Sequence, residues 1–190
     1  MKKGRYLSKL LRSKKTIFTI KDIALLWDEA PSNKTRTRIN YFAKKGELYP
    51  LRQGIYAKNK DYDKLELSNK IYSPSYISFE TVLAKEGLIF QYYQPIFLAS
   101  YLTRQIEIED QTYSFRKLKD SILYEPKGVI YDGETSLASK ERAFLDILYI
   151  NKDYYFDNLE PLNWDIVFDT LKRYNNKRME KVVNKIYKKI

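Results

Sequence analysis

The stretch TIKDIALLWDEAPSNKTRTRINYFAKKGELYPLRQGIYA, residues 19–57, decides how the chain begins to fold. Thr19 is a good helix N-cap, and Asp22 stands at the third helical position beside the positive helix end. Ile20, Ile23, Ala24 and Trp27 follow at helical spacing and predict a short helix. Glu29-Ala30-Pro31 breaks it. Ser32 then caps a second helix running to about Lys45, and Gly46 sits where a left-handed C-terminal residue is wanted. Thr35, Ile39, Phe42 and Ala43 fall on one face of that helix. The other face shows Lys34, Arg36, Thr37, Arg38, Asn40, Tyr41, Lys44 and Lys45. An apolar anchoring face opposite a face of Arg, Asn, Thr and Tyr suits a major groove. Arg can pair guanine, Asn can pair adenine, and Thr or Tyr can touch a phosphate or a thymine methyl. Leu48 to Leu51 and Ile55 to Ala57 then predict a hairpin, with Arg52, Gln53 and Gly54 at its tip. A hairpin directly after a basic helix reads as a wing, and Arg52 is placed to enter a minor groove or clamp a phosphate.

Working outward, Arg5 to Ser13 predicts a preceding helix with Tyr6, Leu7, Leu10 and Leu11 on one side. Thr16-Ile17-Phe18 predicts a short strand. The ordered set of helix, strand, capped helix, turn, basic helix and glycine hairpin predicts a winged helix-turn-helix over residues 1–60, with double-stranded DNA as its partner. Two plainer readings stand beside it: a small α+β core with a solvated basic face, and a wing that binds protein.

The charge distribution agrees with the DNA reading. Of 35 Lys/Arg and 24 Asp/Glu, residues 1–58 hold 15 and 4, so the head carries a net charge equal to that of the whole chain, +11. Residues 59–169 are net acidic and residues 170–190 basic. A basic head meets a polyanion; an acidic body meets something else.

Composition limits the chemistry. Histidine and cysteine are both absent. That removes disulfides, thiolate metal sites, the usual general base and every Ser-His or Cys-His arrangement. No phosphate-cradling or dinucleotide glycine motif and no nucleophile elbow occurs. No catalytic residue, metal site or cofactor is therefore assigned. No window approaches the length of a membrane span, and the expected compartment is the cytoplasm. Asp120 with Glu125-Pro126-Lys127 superficially matches the carboxylate and lysine set of metal-dependent nucleases, but Pro126 disrupts the strand that set requires. A nuclease with a DNA-targeting head is kept as an alternative.

Residues 61–190 predict an α+β domain with a small, mainly antiparallel sheet and flanking helices. Leu65, Leu67 and Ile71 mark an amphipathic segment stopped by Ser73-Pro74. Ser78 caps a short helix ended by Gly87. Pro95 to Leu102 is a buried strand, and Ile106, Ile108, Tyr113 and Phe115 alternate around a hairpin turn at Asp110-Gln111. Ile122 to Tyr124 and Val129 to Tyr131 flank a turn at Pro126-Lys127-Gly128. Ser139 caps a strong helix to Ile150, within which Asp146 is expected to make a structural contact. After Asn163, Met179, Val182, Val183, Ile186, Tyr187 and Ile190 form a stripe against a basic face. That tail suits a second DNA contact, a membrane-surface helix, or a core helix with a solvated lysine face.

Three segments carry a resemblance to a known family. Ser75-Tyr76-Ile77-Ser78-Phe79-Glu80-Thr81-Val82-Leu83 with Glu86-Gly87-Leu88-Ile89, the helix Ala138 to Tyr149, and the wing's Arg52-Gln53-Gly54-Ile55-Tyr56 are similar in order and spacing to motifs of the AbiEi-type antitoxins. The resemblance spans about residues 16–175 and implies the antitoxin half of a type IV toxin–antitoxin or abortive-infection module. On that resemblance the winged helix binds inverted repeats in the module's own promoter and represses it. The second domain counteracts a nucleotidyltransferase-like toxin, without a stable complex being required. The chain departs from longer members in ending soon after its last helix.

Overall fold

A computed structural model describes residues 3–189. These fall into two compact units that divide between Ile71 and Tyr72. The first unit runs α1 (Lys3–Arg12), β1 (Ile17–Thr19), α2 (Ile20–Leu26), α3 (Asn33–Lys44), β2 (Tyr49–Arg52), β3 (Ile55–Ala57) and α4 (Lys64–Ile71). Its three strands pair antiparallel in the order β1-β3-β2, with an irregularity in the register between Pro50 and Arg52. Pro50 is tolerated there because β2 is an edge strand, where a missing N–H costs no ladder bond.

Each element of this unit has a local cause. Thr19 caps α2 through a full capping box: its hydroxyl accepts from the Asp22 N–H, and the Asp22 side chain accepts from the Thr19 N–H. Ser32 caps α3 by accepting from the Thr35 N–H. Gly46 follows α3 at φ +72°, and Gly54 turns the β2–β3 hairpin at φ +79°. The core is Tyr6, Leu10, Phe18, Ile23, Trp27, Ile39, Phe42 and Leu48. Trp27 stands at its centre, edge-on to Tyr6 and Phe42, and its indole N–H donates to the Tyr6 carbonyl at 3.0 Å. Leu11, expected on the apolar side of α1, is instead about half exposed.

The order of elements and the charge together placed the boundary of the head at residue 60. Hydrogen bonding carries the first unit further, through α4. The Glu66 carboxylate is buried and accepts from the Thr16 N–H at 2.8 Å, the Thr16 hydroxyl at 2.7 Å and the Ile17 N–H at 3.1 Å. A carboxylate so placed satisfies the free edge of β1 and ties α4 to the strand.

The second unit contains a six-stranded mixed sheet of order β6-β7-β5-β4-β9-β8. Its strands are β4 (Ser75–Ile77), β5 (Ile96–Ser100), β6 (Arg104–Ile108), β7 (Gln111–Lys117), β8 (Val129–Asp132) and β9 (Thr135–Ala138). Three pairings are antiparallel and two, β4–β9 and β5–β7, are parallel. The helices are α5 (Phe79–Lys85), α6 (Asp120–Leu123), α7 (Lys140–Ile150), α8 (Trp164–Leu171) and α9 (Lys177–Tyr187). Strand β5 is buried at every position, as expected of a central strand in a covered sheet. Of the two segments that flank the turn at Pro126-Lys127-Gly128, Ile122 and Leu123 form the short α6, whereas Val129 to Tyr131 lie in β8, which pairs with β9.

Helix α7 is the keystone of this unit. It is capped by Ser139, and Glu141 through Leu148 are all buried. Asp146 lies inside, where its carboxylate accepts from Arg142 Nε at 3.2 Å, Tyr174 Oη at 2.6 Å, Tyr76 Oη at 2.9 Å and Ser78 Oγ at 2.7 Å. Burial pushes the Tyr76 and Tyr174 hydroxyls well above the usual tyrosine range, so both keep the protons they donate. Ser78 precedes α5 but makes no side-chain cap bond, because its hydroxyl donates to Asp146. The Arg142 guanidinium places its remaining N–H groups on the carbonyls of Ile122, Glu125 and Lys127 and on Tyr76 Oη. The pair is buried, and every donor of the arginine has a partner.

Candidate nucleic-acid interface

Helix α3, its C-cap Lys45 and the β2–β3 hairpin carry the ten residues that the sequence assigned to DNA. Thr35, Ile39 and Phe42 anchor the helix in the core. Lys34, Arg36, Thr37, Asn40, Lys44 and Lys45 are exposed, as are Arg52 and Gln53 at the hairpin tip. The side chains of Lys34, Arg36, Asn40 and Lys44 make no hydrogen bond or ion pair among the described residues. Thr37 donates its hydroxyl proton to the Asn33 carbonyl at 2.9 Å. Lys45 lies over the Tyr41 ring at 4.9 Å, and Tyr41 packs edge-on against Phe42, so this tyrosine is half-buried.

Arg38 is placed differently. Its guanidinium stacks 3.9 Å from the Tyr6 ring centre, and Nη1 donates to both Glu29 carboxylate oxygens at 2.8 and 3.0 Å. Tyr6 donates its hydroxyl to the same carboxylate at 2.7 Å. The Tyr6 hydroxyl, then Arg38, holds Glu29 below the usual carboxylate range. Sequence periodicity put Arg38 among the base readers. In the structure its Nη1 is paired with the turn after α2 and its plane stacks on α1, while the side chain stays partly exposed.

The exposed surface of α3 has two flanks. A groove of about 450 Å³ lies between Asn40, Ala43 and Lys44 and the hairpin residues Pro50, Leu51, Arg52, Gln53 and Tyr56. A second, of about 500 Å³, runs along Asn33, Lys34, Thr37, Arg38, Tyr41 and Phe42. Asn33 was not singled out from the sequence. It is exposed, and its spacing of four from Thr37 and seven from Asn40 aligns it with them, a signal the sequence contained.

The residues of the nuclease alternative are held by other contacts. The Lys127 ammonium pairs with Asp169, Glu125 accepts from the Lys127 N–H at 3.1 Å, and Arg142 holds the carbonyls of their turn. Among the described residues no group of three or more His, Cys, Asp or Glu is arranged to hold a metal ion. On α9, Met179 and Val183 are buried and Tyr187 packs on Trp164 and Phe168, while Lys177, Lys181, Lys185 and Lys188 face outward. Ile190, the last residue of the expected stripe, lies outside the described residues. No described helix is long and apolar enough to cross a membrane.

No curated protein matches the chain. The body motifs that resemble the AbiEi-type antitoxins lie outside the segment matched by a family model; that segment is the head. Residues 5–57, from within α1 through β3, match the family described as "Transcriptional regulator, AbiEi antitoxin", so the likeness to that family is carried by the head of this chain.

Proposed function

We propose that the protein is a promoter-binding repressor and the antitoxin of a type IV toxin–antitoxin module. The observation that carries this reading is the coincidence of the family match with a Ser-capped basic helix and an adjoining hairpin on the unit that holds the positive charge. Helix α3 enters the major groove through Lys34, Arg36, Thr37, Asn40, Tyr41, Lys44 and Lys45. The hairpin places Arg52 and Gln53 on the backbone or in the minor groove. The operator is an inverted repeat upstream of the module. The second unit counteracts a nucleotidyltransferase-like toxin; the acidic charge of residues 59–169 supports a ligand other than DNA for it.

Gel retardation on the upstream repeat tests the reading. With a third to a half of the fifteen head cations reaching phosphates, the log–log salt slope is about −5 to −7. Affinity for the repeat no better than for scrambled duplex sinks the sequence-specific part. Co-expression with the toxin, scored by growth, tests the rest: deletion of the second unit abolishes rescue and leaves DNA retention intact.

A further inference from the structure

The exposed face of α3 is ordered by charge in a way that composition conceals. Asn33, Thr37, Asn40 and Lys44 recur at intervals of four, three and four, so they form one row along the helix. All four are exposed, and the row lies between the two grooves described above. Asn40 and Lys44 border the hairpin groove; Asn33 and Thr37 border the other. Three of the four are uncharged. The cations stand to either side. Arg36 is four residues before Asn40 and seven before Ala43, which puts it on the flank nearer the hairpin, whereas Lys34 and Lys45 lie with Tyr41 on the far flank.

This geometry sorts readers from clamps. Residues along the mid-line of a helix in the major groove face the base edges, and those on its flanks face the two phosphate backbones. Asparagine presents one donor and one acceptor that match adenine N7 and N6. Thr37 uses its hydroxyl proton on the Asn33 carbonyl, so what it adds to the row is a methyl and an acceptor oxygen, a match for the thymine methyl. Arg38, the residue best suited to guanine by type, stands at the edge of the face, where Glu29 and Tyr6 hold it.

We infer that this helix reads A·T base pairs, with Asn33 and Asn40 pairing adenine and Thr37 contacting thymine, while Arg36, Lys34 and Lys45 clamp phosphate and Arg38 positions the helix. The inference rests on α3 being the helix that enters the groove.

The test selects sites for the full chain from randomised duplexes and then measures binding to the winning site by gel retardation. Replacing single adenines by 7-deazaadenine, which lacks the N7 acceptor, lowers wild-type affinity about 5- to 150-fold at two positions. Asn33→Ala makes the protein indifferent to one of these replacements and Asn40→Ala to the other, with melting temperatures unchanged because both residues are exposed. Arg36→Ala weakens all duplexes alike. Arg38→Lys behaves as Arg38→Ala, because the charge is kept but the fork and stacking are lost; a phosphate clamp is rescued by lysine. Selected sites that depend on guanine N7, with that dependence lost in Arg36→Ala or Arg38→Ala, overturn the inference and leave the repressor reading standing. Absence of any salt-sensitive duplex binding overturns both.

Discussion

Helices α3 and α7 begin alike and end differently. They have twelve and eleven residues, each is capped by a serine hydroxyl on a backbone N–H, and each carries an arginine that turns inward. In α3 the inward arginine lies half-exposed against Tyr6 and Glu29, and the outer face is left to unpaired cations and amides. In α7 eight consecutive residues are buried, and Arg142 with Asp146 forms a completely enclosed pair. A surface helix keeps its charges hydrated and available to a ligand. A core helix must pair every charge it brings inside, since an uncompensated one costs several kcal/mol. The same local code therefore produces an exposed polar face in one unit and a keystone in the other.

Breaking the keystone has the largest expected effect. Arg142→Ala leaves the Asp146 carboxylate buried beside hydroxyls alone and frees three turn carbonyls, so the second unit loses about 3–5 kcal/mol. Urea unfolding followed by tyrosine fluorescence measures this, and duplex retention by the first unit is unaffected. An effect below about 1 kcal/mol contradicts the keystone role.

Next comes Gly128, which stands in the turn held by Arg142. Its φ is +78°, and an added Cβ meets the Arg142 Cβ at 2.9 Å. Gly128→Ala combines left-handed strain with that clash and costs roughly 1–3 kcal/mol. A neutral result by thermal unfolding means that the turn can move off the helix.

Arg38→Ala is gentler. It removes a half-exposed ion pair and a cation–π contact, on the order of 1 kcal/mol together. The head melts earlier and all duplexes bind more weakly. A loss confined to one base pair instead makes Arg38 a reader.

The smallest effect is a pH dependence. Hydrogen bonding from Tyr6, then Arg38, lowers Glu29; for Asp22 burial acts upward, but the bonds from Thr19 outweigh it. Both carboxyls bind protons more readily when the chain is unfolded. Their contribution is present above the ordinary carboxylate range, about pH 4, and is lost as pH falls below it. Glu29→Gln flattens part of this acid limb in a melting-temperature profile; an unchanged limb shows that the tie to Arg38 adds nothing to stability.

Much of the first unit was legible from residues 19–57. Caps, breaks and left-handed glycines are local, and their partners lie within four residues. Helix α3, its buried face and the hairpin follow from that code. The role of Arg38 does not, because Glu29 and Tyr6 reach it from other elements. Nor does the place of α4, whose Glu66 satisfies an edge strand some fifty residues earlier in the chain.

The sequence by itself determined the order of the head's elements, the side of α3 that faces solvent, and the concentration of positive charge there. Periodicity and composition fix these without reference to distant residues. Only the tertiary structure decided which polar residues remain available to a ligand. Ser78, Glu66 and Asp146 each find partners far along the chain, and burial obliges them to take those partners, while half-exposed Arg38 is drawn to Glu29 and Tyr6 of other elements.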